Sequence, residues 1–195
     1  TVFLSSLIGL SVGMHFLVGY QLRLEGEAHE SVMQQLSVRI PSLKPNTILM
    51  TNYIAGSFNS DNSLIGPLNY LYEESPGDGK LEYLWVYPNA RLGNDLSRIE
   101  PGLDYDYDFI VADFHGNTSQ TIVIYKQPGS CIRVLDPQLD PNNIMMEGYM
   151  REAAALSNWT VIDLESAPNA LPEEIYASSY DEDWCKVYQQ AGVLF

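Results

Sequence analysis

Hydrophobic positions along the chain fall into three successive spacings. From Thr1 to Leu22 they run almost unbroken, and the segment TVFLSSLIGLSVGMHFLVGYQL holds no Asp, Glu, Lys or Arg. A helix of that length, rising ~1.5 Å per residue, spans the ~30 Å hydrocarbon core of a bilayer. We read residues 1–22 as a transmembrane helix. A secretory signal would show a basic start and a small-residue cleavage pattern, and this segment has neither. A buried helix of a soluble domain is the remaining competitor, yet uncharged runs this long are uncommon there. Ser5, Gly9 and Gly13 recur every four residues, a small-residue ridge that lets helices approach closely in lipid.

Beyond Arg23 the spacing becomes helical. Val32, Leu36 and Ile40 fall four apart and predict an amphipathic helix within 26–43, stopped by Pro41. Short apolar runs bounded by Pro, Gly, Asn and Asp follow. They predict strands at Thr47–Tyr53, Leu81–Tyr87, Tyr107–Phe114, Thr121–Tyr125, Cys131–Leu135 and Thr160–Leu164. The polar links after Phe114 and Tyr125 are short enough for antiparallel hairpins. Between the strands, Asp61-Asn-Ser63 caps a helix to about Glu73, with Pro67 confined to its first turn. A second helix covers Asn143–Leu156 with Met146, Met150, Ala153 and Ala154 inward, and residues 90–102 are irregular or one short helix. The mixture implies an α/β fold: an N-terminal transmembrane helix (1–22), then one mixed-sheet α/β sandwich domain (23–180). Residues 181–195 begin a further helical region.

Charge narrows the partners. With 10 basic against 25 acidic residues the net charge is −15, which disfavours nucleic acid and anionic lipid surfaces, since both need clustered Lys and Arg. The flank after the apolar run, Arg23 to Glu30, carries one basic and three acidic residues, so the domain is expected outside the cytoplasm. Cys131 and Cys185 form one disulfide in an oxidising compartment or stay as two buried thiols, and without a CxxC a zinc site is not indicated.

Candidate chemistry is sparse. Asp104-Tyr-Asp-Tyr-Asp108 puts Asp104, Asp106 and Asp108 on one face of a strand, an arrangement that can hold Ca²⁺ or Mg²⁺. A solvated strand face is the competing reading, because the segment lacks the Gly and Glu of an EF-hand. Asp113 and His115 share a face where a strand is expected to exit, and ligands in open α/β sheets bind beyond the carboxyl ends of strands. The same rule points to Asn52, Asp61 and Asn62. A histidine beside a carboxylate can act as an acid/base pair. Asn117-Thr-Ser119 and Asn158-Trp-Thr160 match the glycosylation acceptor rule, which matters only in a eukaryotic secretory chain. No nucleophile elbow, Walker loop, dinucleotide fingerprint or zincin motif is present, and no catalytic residue or cofactor is assigned.

The stretches Gln35-Leu-Ser-Val-Arg-Ile-Pro41, Leu43-Lys-Pro-Asn-Thr-Ile-Leu49 and Asp61-Asn-Ser-Leu-Ile-Gly-Pro-Leu-Asn-Tyr-Leu-Tyr72 carry a resemblance. They resemble the outward-facing domain after the last spans of certain bacterial polytopic membrane proteins related to glycosyltransferases that use lipid-linked sugars. In those proteins a pattern like Asp183-Trp-Cys-Lys-Val-Tyr188 starts a helical region, of tetratricopeptide type. Arg39, Asp61, Asn62 and Asn69 match without an assigned role. The resemblance implies a cell-membrane protein with an extracytoplasmic domain, other transmembrane helices beside its span, and a glycan or lipid-linked sugar as ligand. A sensor module unrelated to glycosyl transfer is the alternative, and a hydrolase using Asp113 and His115 a third.

Overall fold

One helix, α1 (Val2–Arg39), carries the chain from the apolar run into the core of the domain. The computed structural model describes residues 2–53, 63–72, 79–88, 99–109, 112–127, 129–163 and Cys185. The expected helices in 1–22 and 26–43 are thus one, because no proline interrupts the chain before Pro41 and Arg23 pairs with Glu27 one turn on, at 2.8 Å. The boundary at Arg23 is chemical, not a break in the backbone. Residues up to Leu24 lie exposed, whereas Val32, Met33, Gln34, Gln35 and Leu36 are buried. α1 is long and apolar enough to cross a membrane, and none of its apolar window is buried. That apolar part is therefore not a core helix of this domain.

The other described residues form an α/β domain, with two sheets among them. In the larger, β1 (Thr47–Thr51) lies between β3 (Tyr83–Val86) and β6 (Thr121–Tyr125), parallel to both. β7 (Arg133–Val134) adds an antiparallel edge beside β6. β1, β3 and β6 are buried at every position, which explains their unbroken apolar runs: a parallel sheet covered on both faces has no polar side. Strand β1 starts after a turn in which Pro45 precedes Asn46 at φ 63°, and Asn is a residue that tolerates this left-handed position. α2 (Ile65–Tyr72) packs on β3 with Leu68, Leu71 and Tyr72 buried. Pro67 falls in its first turn, as its missing N–H requires. The Tyr72 hydroxyl donates to the Ile40 carbonyl at 2.8 Å and the Tyr83 hydroxyl to the Leu43 carbonyl at 3.0 Å, so the end of α1 is tied to helix and sheet.

The smaller sheet has the order β2 (Lys80–Leu81), β5 (Asp113–Asn117), β4 (Asp104–Asp108). Two expectations change here. Leu81–Tyr87 is not one strand: it switches sheets at Glu82, where the Glu82 and Tyr83 amides both donate to Asn69 Oδ1 at 3.0 Å. Tyr107–Phe114 is not one strand either. It spans the return of an antiparallel hairpin, with the Phe109 amide donating to the Ala112 carbonyl at 2.8 Å.

Three further expectations shorten or dissolve. β5 and β6 belong to different sheets and do not form a hairpin. The helix expected from Asn143 starts at Gly148 as α3 (Gly148–Ala154), because Asn143 turns its side-chain oxygen onto the Met145 amide, while Met146, Met150, Ala153 and Ala154 are buried as expected. Thr160–Leu164 is no strand: Trp159–Val161 is a 3-10 turn capped by Asn158, leaving one bridge from Ile162 to Leu43. Cys131 and Cys185 are joined as a disulfide. Apart from Cys185, which is helical and buried, residues 181–195 lie outside the described residues, as do Asp61 and Asn62.

Candidate functional site

The two chemical features read separately from the sequence meet on the outer face of the β4–β5 hairpin. Antiparallel register places Asp104 opposite Asn117, Asp106 opposite His115 and Asp108 opposite Asp113. His115 Nδ1 lies 2.9 Å from Asp106 Oδ1, and Asn117 Nδ2 donates to Asp104 Oδ1 at 2.9 Å. Hydrogen bonding to Asp106 raises the His115 pKa, and the charges of Asp106, Asp113 and Asp108 push the same way. His115 takes its partner across the hairpin, whereas the expected Asp113–His115 pair would run along one strand. Neither residue lies at a strand exit, because His115 is the middle of β5 and Asp113 its first residue.

The face is solvated. Asp104, Asp106 and Asp108 are exposed while Tyr105 and Tyr107 between them are half-buried, the period-two pattern of a strand with one wet side. Successive same-face residues stand ~6.8 Å apart along a strand, too far for three carboxylates to share one ion. Among the described residues no group of three or more His, Cys, Asp or Glu gathers closely enough to hold a metal.

Asn52 sits at the carboxyl edge of the larger sheet, as expected, but its amide is used by the fold. Its Nδ2 donates to the Lys126 carbonyl and its Oδ1 accepts from the Lys126 amide, both at 3.0 Å, which extends the pairing of β1 with β6 by a side chain. Asn117 and Asn158, the acceptor-motif asparagines, are likewise occupied: each caps a 3-10 turn through its side-chain oxygen. Ser5, Gly9 and Gly13 are exposed, and a Cβ added to Gly9 or Gly13 would meet nothing within 4 Å.

Where a parallel sheet should offer a site, there is a cleft. It lies beyond the carboxyl end of β6, has a volume of about 280 Å³, and is lined by Tyr125, Gln127, Ser130, Cys131 and Arg133. Asn143, Met145 and Met146 complete it. The Arg133 guanidinium donates from both terminal nitrogens to Asp140, at 2.7 and 3.2 Å, and lies over the Tyr125 ring at 5.7 Å. Asp140 is buried and also accepts the Asp136 amide at 2.7 Å, so the loop after β7 is locked beneath the cleft. The Tyr125 hydroxyl donates to Glu147 Oε2 at 3.0 Å. Burial raises the Tyr125 pKa, keeping that hydroxyl a donor at neutral pH.

None of the cleft residues was singled out from the sequence as a ligand-binding candidate. The signal was there: the rule that led to Asn52 at the end of β1 applies equally to Tyr125 at the end of β6. Asn69 was also under-read. Buried in α2, it donates to the Ile65 and Tyr83 carbonyls at 2.9 and 2.7 Å while accepting both amides at the sheet switch. Comparison with protein-family models, with curated proteins and with solved structures finds no match to this chain.

Proposed function

We propose that this chain is a membrane-anchored, extracytoplasmic binding domain of a cell-envelope protein, an accessory module that holds a glycan or positions an acceptor for a glycosyltransferase acting on lipid-linked sugars. The observation that carries the reading is α1, a single helix whose first part, free of Asp, Glu, Lys and Arg, is exposed and whose residues Val32 to Leu36 are buried in the domain. The Cys131–Cys185 disulfide supports the outward side, because such bonds persist in oxidising compartments. The flank Arg23 to Glu30, with a single basic residue, supports it as well, since cytoplasmic flanks are enriched in Lys and Arg. The exposed ridge of Ser5, Gly9 and Gly13 suits packing against other transmembrane helices. The glycan part rests on the sequence resemblance.

The test is fractionation and protease access. Expressed in a bacterium, the chain is expected to stay with membranes through an alkaline wash and to be cut by protease added to intact spheroplasts. Release into the wash would remove the anchor, and protection until lysis would put the domain on the other side.

A sensor is the second reading, favoured by one bond. Buried Gln35 of α1 accepts the Ile132 amide at 2.8 Å, between the cleft residues Cys131 and Arg133. A displacement of that cleft wall would thus act on the helix that enters the apolar run. Cross-linking between copies through Gly9→Cys, with and without solubilised cell-wall fragments, should then change on ligand addition. An unchanged yield would dismiss the sensor.

A further inference from the structure

We propose that the cleft beyond β6 takes a small, uncharged ligand rich in hydroxyl and amide groups, of about the size of one sugar ring. The proposal rests on the reading of this chain as a binding domain and names the site and the chemistry within it.

Charge on the walls decides the ligand class. Among the described residues that line the cleft none is an Asp or Glu, and the carboxylates beside it, Glu147 and Asp140, are engaged by the Tyr125 hydroxyl and by Arg133. Arg133, the one cationic residue among the described residues of the wall, has both terminal nitrogens bound to Asp140, and a chain of net charge −15 repels anions as they approach. Neutral hydrogen-bonding groups remain. Gln127 is exposed, and its side chain reaches the Tyr125 hydroxyl only at 3.5 Å. Asn143 uses its oxygen on the Met145 amide and, among the described residues, has no acceptor for its nitrogen. The thioethers of Met145 and Met146 supply an apolar, adaptable surface for the ring itself. A few polar groups fixed around an apolar wall at the carboxyl end of a parallel strand is the usual make-up of a small-molecule site, and about 280 Å³ lies at the small end of such sites.

The methionines provide the assay. The chain has six; Met145 and Met146 line the cleft, while Met14 lies in the apolar part of α1 and Met50 is buried in β1. The full chain in detergent micelles, carrying ¹³C-methyl methionine, is titrated separately with N-acetylglucosamine, glucosamine and glucuronate. These probes share a ring and differ in charge. N-acetylglucosamine should shift Met145 and Met146 saturably and leave Met14 and Met50 in place, with the two charged probes at least about tenfold weaker. Gln127→Ala should weaken the neutral probe by roughly three- to tenfold, the loss of one hydrogen bond. Equal or stronger shifts by a charged probe would overturn the proposal, as would no shift from any of the three. Should the variant misfold, the comparison of probes on the parent chain still decides. The fractionation experiment is independent of this titration, so the anchor and the ligand class can fail separately.

Discussion

The two sheets of this domain obey opposite rules. In the larger one every residue of β1, β3 and β6 is buried, and apolar side chains fill both faces. In the smaller one β4 alternates strictly, aspartates out and tyrosines in. The larger sheet is held by burial and by the end of α1. The hairpin's outer face is held by polar pairs in water, which contribute little each. A change in the first sheet should therefore cost several kcal/mol, and a change on the hairpin's outer face should be hard to detect. Five experiments test how sharp that difference is.

The largest effect is expected from the covalent tie beside β7. Replacing both Cys131 and Cys185 by Ser opens a loop with a sequence separation of 54, worth about 4 kcal/mol in the chain-entropy account. Denaturant unfolding of the double variant measures it; a loss under about 1 kcal/mol would show that the tie is not part of what holds the sheet. Next is Leu36→Ala. Leu36 is fully buried in the core end of α1, and truncation there should cost about 2–5 kcal/mol. The matched change Asp106→Ala on the hairpin should stay within about 0.5 kcal/mol. Equal midpoints for the two would erase the contrast.

Asn69→Ala comes third. It strands the Glu82 and Tyr83 amides at the sheet switch, and an unpaired buried group costs about 1–3 kcal/mol. Hydrogen exchange should quicken first at Tyr83; unchanged protection there would refute the role given to Asn69. Fourth, Gly116→Ala probes the hairpin's inner side. A Cβ there would lie 2.5 Å from the Phe114 ring and 3.1 Å from the Asn46 carbonyl, so one must shift, at about 1–3 kcal/mol. A neutral result would mean that the ring moves freely.

The smallest effect is a pH dependence. The His115 pKa is raised in the folded chain, chiefly by its bond to Asp106. Its contribution is therefore complete below about pH 6.5, the unfolded value, and fades as pH rises through the folded one. Thermal unfolding of the parent chain against His115→Asn should show a small advantage at pH 5 that is gone by pH 8.5. The reverse order would contradict the Asp106 pairing.

How much of this was legible beforehand varied with the kind of signal. Apolar runs and breakers are local, and they located β1, β6, the inward side of α3 and the end of α1 at Pro41. Asparagine roles were not legible. Asn52, Asn69, Asn117 and Asn158 look alike as letters. Their partners lie 74 residues away for Asn52 and 39 away for the Asn158 amide, so which asparagine serves the fold is a tertiary fact. The strand breaks at Glu82 and between Phe109 and Ala112 were hidden for the same reason: apolar residues continue across both, and only pairing decides where a strand stops.

By itself the sequence determined the quantities that accumulate along the chain: an uncharged run long enough for a bilayer, a strong negative charge, two cysteines, and the apolar spacings that make a helix or a strand. Tertiary structure alone decided which distant groups meet. It joined Cys131 to Cys185, set His115 against Asp106 and not Asp113, and opened a cleft at Tyr125. Local spacing follows from the backbone's own geometry. Pairing follows from a competition among distant segments for the same buried surface, and no short window of sequence contains both competitors.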